Sequence, residues 1–365
     1  MVQDGGADAS RPVTIYDVAR AAGVAPSTVS RAFSRPGRVK AGTAERIREI
    51  AVTLGYRTSP LARAVPGAPT RMIALVVADI ANPVFAAIVR GAQEAAAERG
   101  YVLLLADAQE DDRQERAAIE RSLPSVDGVV LAATRMSDSA IRMMSKQKPV
   151  VVLNRSIPDV PCVMPDYARG LRRAAEHLGE LGHDRITYVA GPAASWADGM
   201  RWRSLRDAAA GLHLAARRIG PFPPDVDGGV LAAATFAAQP TSAVIAYNDL
   251  LAIGVVRGLL GMGVRVPGDV SVVGFDNILA AELVTPGLTT VAAPLHTEGA
   301  EAIRHLLAMV EGAPTHTGQP FVLPTRLVVR GSTGPSSRMP GHPAARAGTA
   351  RGNSWQLLVR SRSAE

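Results

Sequence analysis

The first hydrophobic pattern along the chain predicts three short helices within residues 14–56. The first predicted helix begins at Thr14, whose hydroxyl caps it together with an acidic residue three positions later, and it ends at Gly23. The second begins at Pro26, because proline needs no amide donor at the first helical position. The third spans about 42–54. Its apolar stripe contains Ile47, Ile50, Ala51 and Leu54.

The second predicted helix combines a buried face with a face of hydrogen-bonding side chains. Val29 and Phe33 lie four residues apart and point inward. The outward face contains Ser27, Thr28, Ser30 and Arg31. Short hydroxyls suit phosphate contacts and a long arginine reaches a base edge, so the pattern favours a helix-turn-helix that binds DNA. A three-helix bundle without DNA contacts is the alternative that this pattern leaves open.

Beyond residue 70 the pattern changes to apolar, strand-like runs that alternate with amphipathic helical segments. The predicted strands are 72–77, 101–105, 129–131, 150–153, 186–189, 243–246 and 270–273. Near-continuous apolar strands separated by helices predict parallel, doubly wound sheets of the α/β class, covered on both faces. About 260 residues of this pattern exceed one compact sheet, so we expect two lobes with a ligand cleft between them.

Polar side chains follow five of the predicted strands at the point where each strand ends. They are Asp79, Asn82, Asp107, Asn154, Arg155, Asn248, Asp249, Asp276 and Asn277. Each of these alone is typical of a helix cap or a turn. Because the carboxyl ends of parallel strands meet at one edge of a sheet, their repetition indicates that some of them contact a ligand.

Basic residues are concentrated near the two ends of the chain, whose formal net charge is +7. Residues 11–65 hold ten Lys or Arg against three acidic residues, and 332–365 hold five Arg against one Glu. A small basic module in front of a near-neutral body indicates that the module contacts a polyanion; a solvated charged face is the alternative. The segment from 332 is rich in Gly, Pro, Ser, Ala and Arg, which predicts disorder.

Several function classes lack their sequence signals. The single cysteine, Cys162, excludes an intrachain disulfide framework, and the seven histidines show no metal-ligand spacing. No phosphate-binding loop, zinc-protease or hydrolase motif occurs, so we expect no enzyme, no cofactor and no metal. The chain has neither an apolar run of membrane-spanning length nor a basic leader with an apolar core. We therefore expect a soluble, cytoplasmic protein without a membrane partner.

The motifs together resemble one family of proteins. Residues 13–24 (VTIYDVARAAGV) and 27–31 (STVSR) are similar to the N-terminal signature of the lactose/galactose-repressor (LacI/GalR) family of bacterial transcription regulators. Further similar motifs, in order, are 54–56 (LGY), 79–83 (DIANP), 177–183 (HLGELGH), 248–249 (ND), 272–276 (VVGFD) and 288–291 (LTTV). The resemblance covers about residues 13–331.

The resemblance implies a helix-turn-helix, a hinge helix and a two-lobed core like that of periplasmic sugar-binding proteins. The implied divisions are a disordered start at 1–10, the helix-turn-helix at 11–58, the hinge helix and linker at 59–70, the core at 71–331 and a disordered basic tail at 332–365. Within the core, the first lobe takes about 71–165 and 293–323, and the second takes about 166–292 and 324–331. Members of the family bind palindromic operators as dimers, and an effector between the lobes changes operator affinity.

By position, the family's base-reading residues correspond to Pro26, Ser27 and Arg31, with Arg31 expected at a guanine edge. Thr14, Thr28 and Ser30 correspond to phosphate contacts. Tyr16, Ala62 and Val65 complete the implied DNA-binding set. Val65 occupies the place of the hinge helix's minor-groove wedge, where leucine is usual in the family, so a shorter side chain enters the central base step.

The family's effector-binding positions correspond to residues from both predicted lobes. They are Asp79, Phe85, Asn154, Arg155, Arg201, Phe222, Asn248 and Asp276. Acidic, amide and guanidinium groups pair with vicinal hydroxyls, and an aromatic ring stacks on the apolar face of a sugar. The resemblance therefore implies a sugar or a sugar derivative as the effector.

The combined interpretation is a dimeric, sequence-specific DNA-binding regulator, a repressor controlled by a small-molecule effector. Its partners are double-stranded DNA, the effector and a second copy of the chain, with a tetramer left open, and we expect it at the nucleoid. A solute-binding receptor without a regulatory role is the alternative from another class. An enzyme on the two-lobed core is a third, which the missing catalytic motifs disfavour. An activator, or a regulator without an effector, also stays open.

Overall fold

The computed structural model describes residues 13–34, 37–56, 69–313 and 319–336 of the chain. Contacts divide the protein into two compact units, residues 1–70 and 71–365. The expectations for the N-terminal segment 1–10, for most of the hinge and linker, and for the tail beyond 336 lie outside the described residues.

The small unit contains three helices, α1 (Ile15–Ala22), α2 (Pro26–Ser34) and α3 (Ala41–Thr53). Thr14 caps α1: Asp17 Oδ2 accepts hydrogen bonds from the Thr14 amide at 2.9 Å and from its hydroxyl at 2.6 Å. Gly23 then adopts a left-handed conformation, with φ 64°, that ends the helix. The predicted start of α2 at Pro26 is confirmed.

The core of the small unit forms where the three helices meet. Val18, Val29 and Ile47, one from each helix, are fully buried. Leu54 was expected on the apolar stripe of α3 but is exposed, because the helix ends at Thr53 and the chain turns away there.

The large unit is built from parallel strands and helices in alternation. Its strands are β1 (Met72–Val77), β2 (Val102–Asp107), β3 (Gly128–Ala132), β4 (Val150–Leu153), β5 (Cys162–Pro165), β6 (Arg185–Val189), β7 (Ala215–Ile219), β8 (Ala243–Ala246), β9 (Ser271–Asp276), β10 (Thr289–Ala292), β11 (Phe321–Leu323) and β12 (Arg326–Val328). Its helices are α4 (Pro83–Glu98), α5 (Asp112–Ser122), α6 (Asp138–Ser145), α7 (Tyr167–Glu180), α8 (Trp196–Gly211), α9 (Val226–Ala238), α10 (Asp249–Gly261), α11 (Ala280–Leu283) and α12 (Leu295–Val310).

Two six-stranded sheets organise these elements. The sheet ordered β11-β5-β4-β3-β1-β2 is parallel throughout and defines the first lobe. The sheet ordered β12-β10-β9-β8-β6-β7 defines the second lobe, and only its edge strand β12 runs antiparallel, against β10. Helices cover both faces of each sheet, so every lobe has an apolar core on either side. The predicted α/β class with doubly wound parallel sheets is confirmed.

Helix α12 packs on β3, β4 and β5 of the first lobe and crosses α4 at very short range. A Cβ atom on Gly299 would lie 2.0 Å from the carbonyl oxygen of Ile88, and one on Gly91 would lie 1.9 Å from that of His296. Glycine is therefore required at both positions, since the two backbones touch there. This contact fixes the start of α12 against the first lobe.

Residues 332–336 correct the expected start of the tail. Ser332 is fully buried; its hydroxyl donates to the Val272 carbonyl at 2.6 Å and accepts from the Thr289 amide at 2.8 Å. The Ser336 amide donates to the Leu181 carbonyl at 2.8 Å. These small polar residues pair with strands and loops of the second lobe, so their composition alone gave the wrong prediction.

Membrane-spanning helices and metal-site clusters are both absent from the described ranges. None of the helices there has the length and apolar character that crossing a membrane requires. Within the same ranges, no three His, Cys, Asp or Glu side chains are grouped as a metal site would need.

Candidate functional site

The exposed face of α2 carries the side chains that the sequence predicts for DNA contacts. Ser27, Ser30 and Arg31 are exposed, whereas Pro26 and Thr28 are half-buried. Val29, on the opposite face, is fully buried and holds the helix against α1 and α3. The helix therefore presents hydroxyls and one guanidinium outward from a rigid base.

The remaining predicted DNA contacts are placed differently. Tyr16 on α1 is 65% exposed and free to reach a partner. The Thr14 hydroxyl is engaged with Asp17, so its first task is to cap α1. Ala62 and Val65 lie outside the described residues.

The large unit contains a narrow cavity between its two lobes, at the carboxyl ends of the central strands. Its volume is about 30 Å³, enough for about one water molecule. The cavity is lined by Asn82, Val84, Phe85, Ala133, Asn154, Pro165, Ala197, Arg201, Tyr247, Asn248, Asp276 and Leu295. Five of the eight predicted effector positions therefore meet in one place: Phe85, Asn154, Arg201, Asn248 and Asp276.

Arg201, on α8, is the charged centre of this cavity. Its guanidinium donates to Asp276 Oδ1 at 3.0 Å and to the Tyr247 carbonyl, and it lies 3.8 Å from the centroid of the Phe275 ring. The Nε atom has no hydrogen-bond partner among the described residues. Burial raises the pKa of Asp276 to about 6, and the neighbouring Arg201 counteracts this effect. The Arg201–Asp276 ion pair thus has a fixed geometry, while the Nε–H group of Arg201 is left without an acceptor among the described residues.

The two asparagines of the cavity are held by neighbouring backbone and side chains. Asn154 Oδ1 accepts a hydrogen bond from the Tyr167 hydroxyl at 2.9 Å. Asn248 caps α10, since its Oδ1 accepts from the Leu251 amide at 2.9 Å while its Nδ2 donates to the Pro224 carbonyl at 2.9 Å. Both amides are therefore oriented before any ligand binds.

Three predicted effector residues do not line this cavity. Arg155 donates to the Met136 carbonyl at 2.7 Å and lines a neighbouring pocket of about 400 Å³ with Arg116 and Arg135. Asp79 accepts from the Ala81 amide at 2.9 Å in the turn after β1. Phe222 packs against the apolar core beside α9 and α10.

The site also contains residues that the sequence analysis did not select. Tyr247 lines the cavity, and the centroid of the Tyr167 ring lies 5.3 Å from the Arg201 guanidinium carbon. Glu298, on the first turn of α12, is also fully buried. A signal for Glu298 was available, because a lone glutamate interrupts the apolar stripe formed by Leu295 and Ala302.

Comparisons with known proteins give the same family at both ends of the chain. A family model described as "Bacterial regulatory proteins, lacI family" matches residues 14–59, and a "Periplasmic binding protein-like domain" matches residues 175–333. The transcriptional regulator DegA of Bacillus subtilis (strain 168) is 34% identical over 334 residues, which cover 88% of this chain and 98% of DegA. The transcriptional repressor CytR of Escherichia coli (strain K12) is 32% identical over 328 residues, covering 88% and 96%.

Solved structures agree with these relatives. The lac repressor dimer bound to operator and the anti-inducer ONPF has a TM-score of 0.78 at 25% identity, covering 89% of this chain and 100% of that one. The complex of the transcriptional regulator CelR with cellobiose has a TM-score of 0.66 at 32% identity, covering 88% and 100%. The chain therefore belongs to the LacI family of bacterial regulatory proteins and is a DNA-binding transcriptional regulator with a helix-turn-helix unit and a periplasmic-binding-protein-like core.

Proposed function

We propose that this regulator is a repressor that binds a palindromic operator as a homodimer, with its affinity set by a carbohydrate-class effector in the cleft of the large unit. The observation that carries the proposal is the meeting of Phe85 and Asn154 from the first lobe with Arg201, Asn248 and Asp276 from the second around one cavity. The similarity to an operator-bound lac repressor dimer supports the assembly.

On the DNA side, α2 enters the major groove with its first two turns. Arg31 donates to a guanine edge, and Pro26 and Ser27 contact the adjacent bases. Thr28, Ser30 and Thr14, which caps α1, contact phosphates, and Tyr16 lies beside them. Ala62 and Val65 act in the hinge at the minor groove; this assignment depends on the family resemblance alone, since both lie outside the described residues.

On the effector side, Asn154, Arg201, Asn248 and Asp276 hydrogen-bond to hydroxyl groups, and Phe85 packs on the apolar face of the ring. Similar structures contain cellobiose, ribose and D-xylulofuranose, which supports a carbohydrate. Asp79, Arg155 and Phe222 would take part after the lobes change their separation. These three side chains would then have to break their present contacts in order to contact the ligand.

The effector acts by binding two lobe arrangements with different affinity, since only a difference of affinities shifts a conformational equilibrium. We place the boundaries of the hinge and of the two lobes where the sequence predicts them, except that the second lobe extends to 336 and the tail begins after it. The protein works in the cytoplasm, at the nucleoid, because its DNA partner is there. We propose no catalytic turnover of the effector.

The deciding experiment is selection of DNA from a random library by the purified full-length protein at stated salt, followed by competition with a panel of sugars. Recovery of a short palindrome, and its release or tighter binding by one sugar, is the expected result. Failure to enrich any sequence at moderate salt would overturn the operator proposal. An enriched operator that no small molecule affects would remove the effector from it.

A further inference from the structure

The turn that follows β9 has an unusual backbone at a residue of the cavity. Asp276 ends the strand with φ 109°, and Asn277 follows it with φ 62°. Values in this range are costly for residues that carry a Cβ atom, and they persist only where neighbouring groups hold the backbone. Because Asp276 lines the cavity and pairs with Arg201, the conformation of this turn sets the direction of a carboxylate of the candidate site.

Asp249 supplies hydrogen-bond acceptors to this turn, although it does not itself line the cavity. It follows Asn248, which does line it, and it is the fully buried first residue of α10. The Oδ2 atom of Asp249 accepts from the Ile278 amide at 2.9 Å, and the Asn277 amide also donates to the same carboxyl group. Two successive main-chain amides of the turn therefore bind one side chain of another element.

The second oxygen of the Asp249 carboxyl group is fixed by the sheet. It accepts a hydrogen bond from the Thr290 hydroxyl, on β10, at 2.6 Å. A Cβ atom on Gly274 of β9 would lie 2.2 Å from this oxygen, so the carboxyl group packs directly against the backbone of that strand. Two neighbouring strands thus hold Asp249 in the place where it meets the turn.

Two further contacts act on the turn, but both of them engage side chains. Arg330 donates to Asn277 Oδ1 at 2.8 Å, and Arg201 donates to Asp276 Oδ1 at 3.0 Å. Among the contacts that the structure describes, the acceptors for the main-chain amides of Asn277 and Ile278 are those of Asp249. The backbone conformation of the turn is therefore set where these amides meet the Asp249 carboxyl group.

We propose that Asp249 is a positioning residue of the cleft: its carboxyl group holds the turn after β9 in the conformation that directs the Asp276 carboxylate to Arg201 and to the effector. This inference rests on the proposed function, because Asp276 acts on an effector only if the cleft binds one. The rival explanation is that the Arg201–Asp276 ion pair maintains the turn by itself. The two explanations differ in what happens to Asp276 when the acceptors of Asp249 are removed.

The deciding test compares crystal structures of the full-length wild type and Asp249→Ala, both without ligand. We expect Asp276 to leave its left-handed conformation in the variant, and the distance between Asp276 Oδ1 and the Arg201 guanidinium to rise from 3.0 Å to beyond hydrogen-bonding range. An unchanged turn in Asp249→Ala would overturn the inference, because the ion pair alone would then suffice.

Asp249→Asn is the conservative variant that has to restore the turn. Its amide oxygen can accept from the two main-chain amides, and its NH₂ group can donate to the Thr290 hydroxyl. Burial raises the pKa of Asp249 to about 8, so a neutral side chain also matches the native group at pH 7. We therefore expect Asp276 and Arg201 to remain paired in Asp249→Asn.

A milder pair of variants decides the question if Asp249→Ala does not fold. Thr290→Val removes the hydroxyl that fixes Asp249 and keeps the volume of the side chain. The matched control is Thr187→Val, at another fully buried threonine of the same sheet, whose hydroxyl pairs with Thr241. We expect the distance between Asp276 and Arg201 to lengthen in Thr290→Val alone. The same distance in both variants and in the wild type would contradict the inference.

Ligand binding provides the functional readout. The probes are D-ribose, D-glucose, D-galactose and cellobiose, each titrated calorimetrically into the full chain. A sugar that binds the wild type is expected to bind Asp249→Ala about tenfold more weakly, as for one lost hydrogen bond to a charged group, and Asp249→Asn with wild-type affinity. Equal affinity of the wild type and Asp249→Ala would overturn the inference. If none of the four sugars binds, that result counts against the proposed carbohydrate effector, and the crystal structures alone decide the role of Asp249.

Discussion

A few side chains in this protein combine burial with unused hydrogen-bonding capacity. Among the residues that the structure describes, Arg201 Nε and both carboxyl oxygens of Glu298 have no hydrogen-bond partner, although both side chains are almost fully buried. By contrast, Thr14 is half-buried, and its hydroxyl donates a hydrogen bond to Asp17. At the residue scale, Arg31 and Tyr16 are exposed on the small unit, whereas Arg201 and Asp276 form a buried ion pair in the large one.

The first prediction concerns Arg31. Arg31→Ala is expected to weaken binding to the selected operator by about 1–3 kcal/mol and to relax the base preference at one position of each half-site, because a bidentate base contact is lost. Binding is measured by fluorescence anisotropy on the operator and on a scrambled duplex of the same length. A parallel loss on both duplexes would show that Arg31 contacts only phosphate.

The second prediction concerns the pH dependence of stability. The folded-state pKa of Glu298 is about 8, above the ordinary glutamate value of 4.5, so the folded protein holds more protons than the unfolded chain between these values. The contribution of Glu298 is therefore present at low pH and declines as the pH rises from about 4.5 to 8.

Glu298→Leu isolates this contribution, because the difference in melting temperature between variant and wild type removes the effect of buried His183, whose pKa is lowered by burial. We expect the melting temperature of the variant to rise relative to that of the wild type as the pH increases from 5.5 to 8.5. A difference that does not change with pH would show that Glu298 is paired in solution.

Elements with long apolar runs were predicted well, and those without them were missed. The predicted strands 72–77 and 150–153 match β1 and β4 residue for residue. Strand β7 (AARRI) carries two arginines on a sheet edge, and β11 and β12 have three residues each, too short for a periodic signal. Their place in the sheets is set by long-range pairing, which a local pattern does not contain.

The same distinction applies to the site. Asn154, Asn248 and Asp276 follow strong strands, so their convergence could be predicted from topology. Glu298 could not be found in this way, because its burial results from the packing of helix α12 on the first lobe, which a strand pattern does not contain. Arg155 follows a predicted strand but pairs with Asp138 instead of entering the cavity.

The third prediction tests the crossing of α4 and α12. Gly299→Ala places a methyl group 2.0 Å from the Ile88 carbonyl oxygen, so the helices have to separate, at a cost of about 1–3 kcal/mol in the free energy of unfolding. The matched control is Gly261→Ala, a helical glycine with open space around it, which is expected to gain about 0.5–1 kcal/mol. Urea denaturation measures both, and equal stability of the two variants would contradict the close crossing.

At the scale of the whole molecule, charge and chemistry are divided between the two units. Residues 11–65 hold ten Lys or Arg against three acidic residues, whereas the described lining of the cavity carries one ion pair, Arg201 with Asp276. We therefore expect DNA affinity to fall steeply with salt and ligand binding in the buried cavity to respond weakly. DNA binding and ligand binding can therefore be measured separately on the same protein. The free energy that couples them can then be determined.

The last prediction concerns that coupling. If the cleft ligand changes operator affinity by a given factor, the operator has to change ligand affinity by the same factor, because both legs of the cycle share one coupling free energy. We expect a factor of about 5–150, measured by titrating the ligand with and without saturating operator. In Asp276→Asn the Arg201 ion pair is lost, so ligand affinity and coupling are expected to fall together while operator binding persists. A ligand that releases the operator but binds the cleft equally in both titrations cannot act from the cleft, and its site would have to be sought elsewhere in the protein.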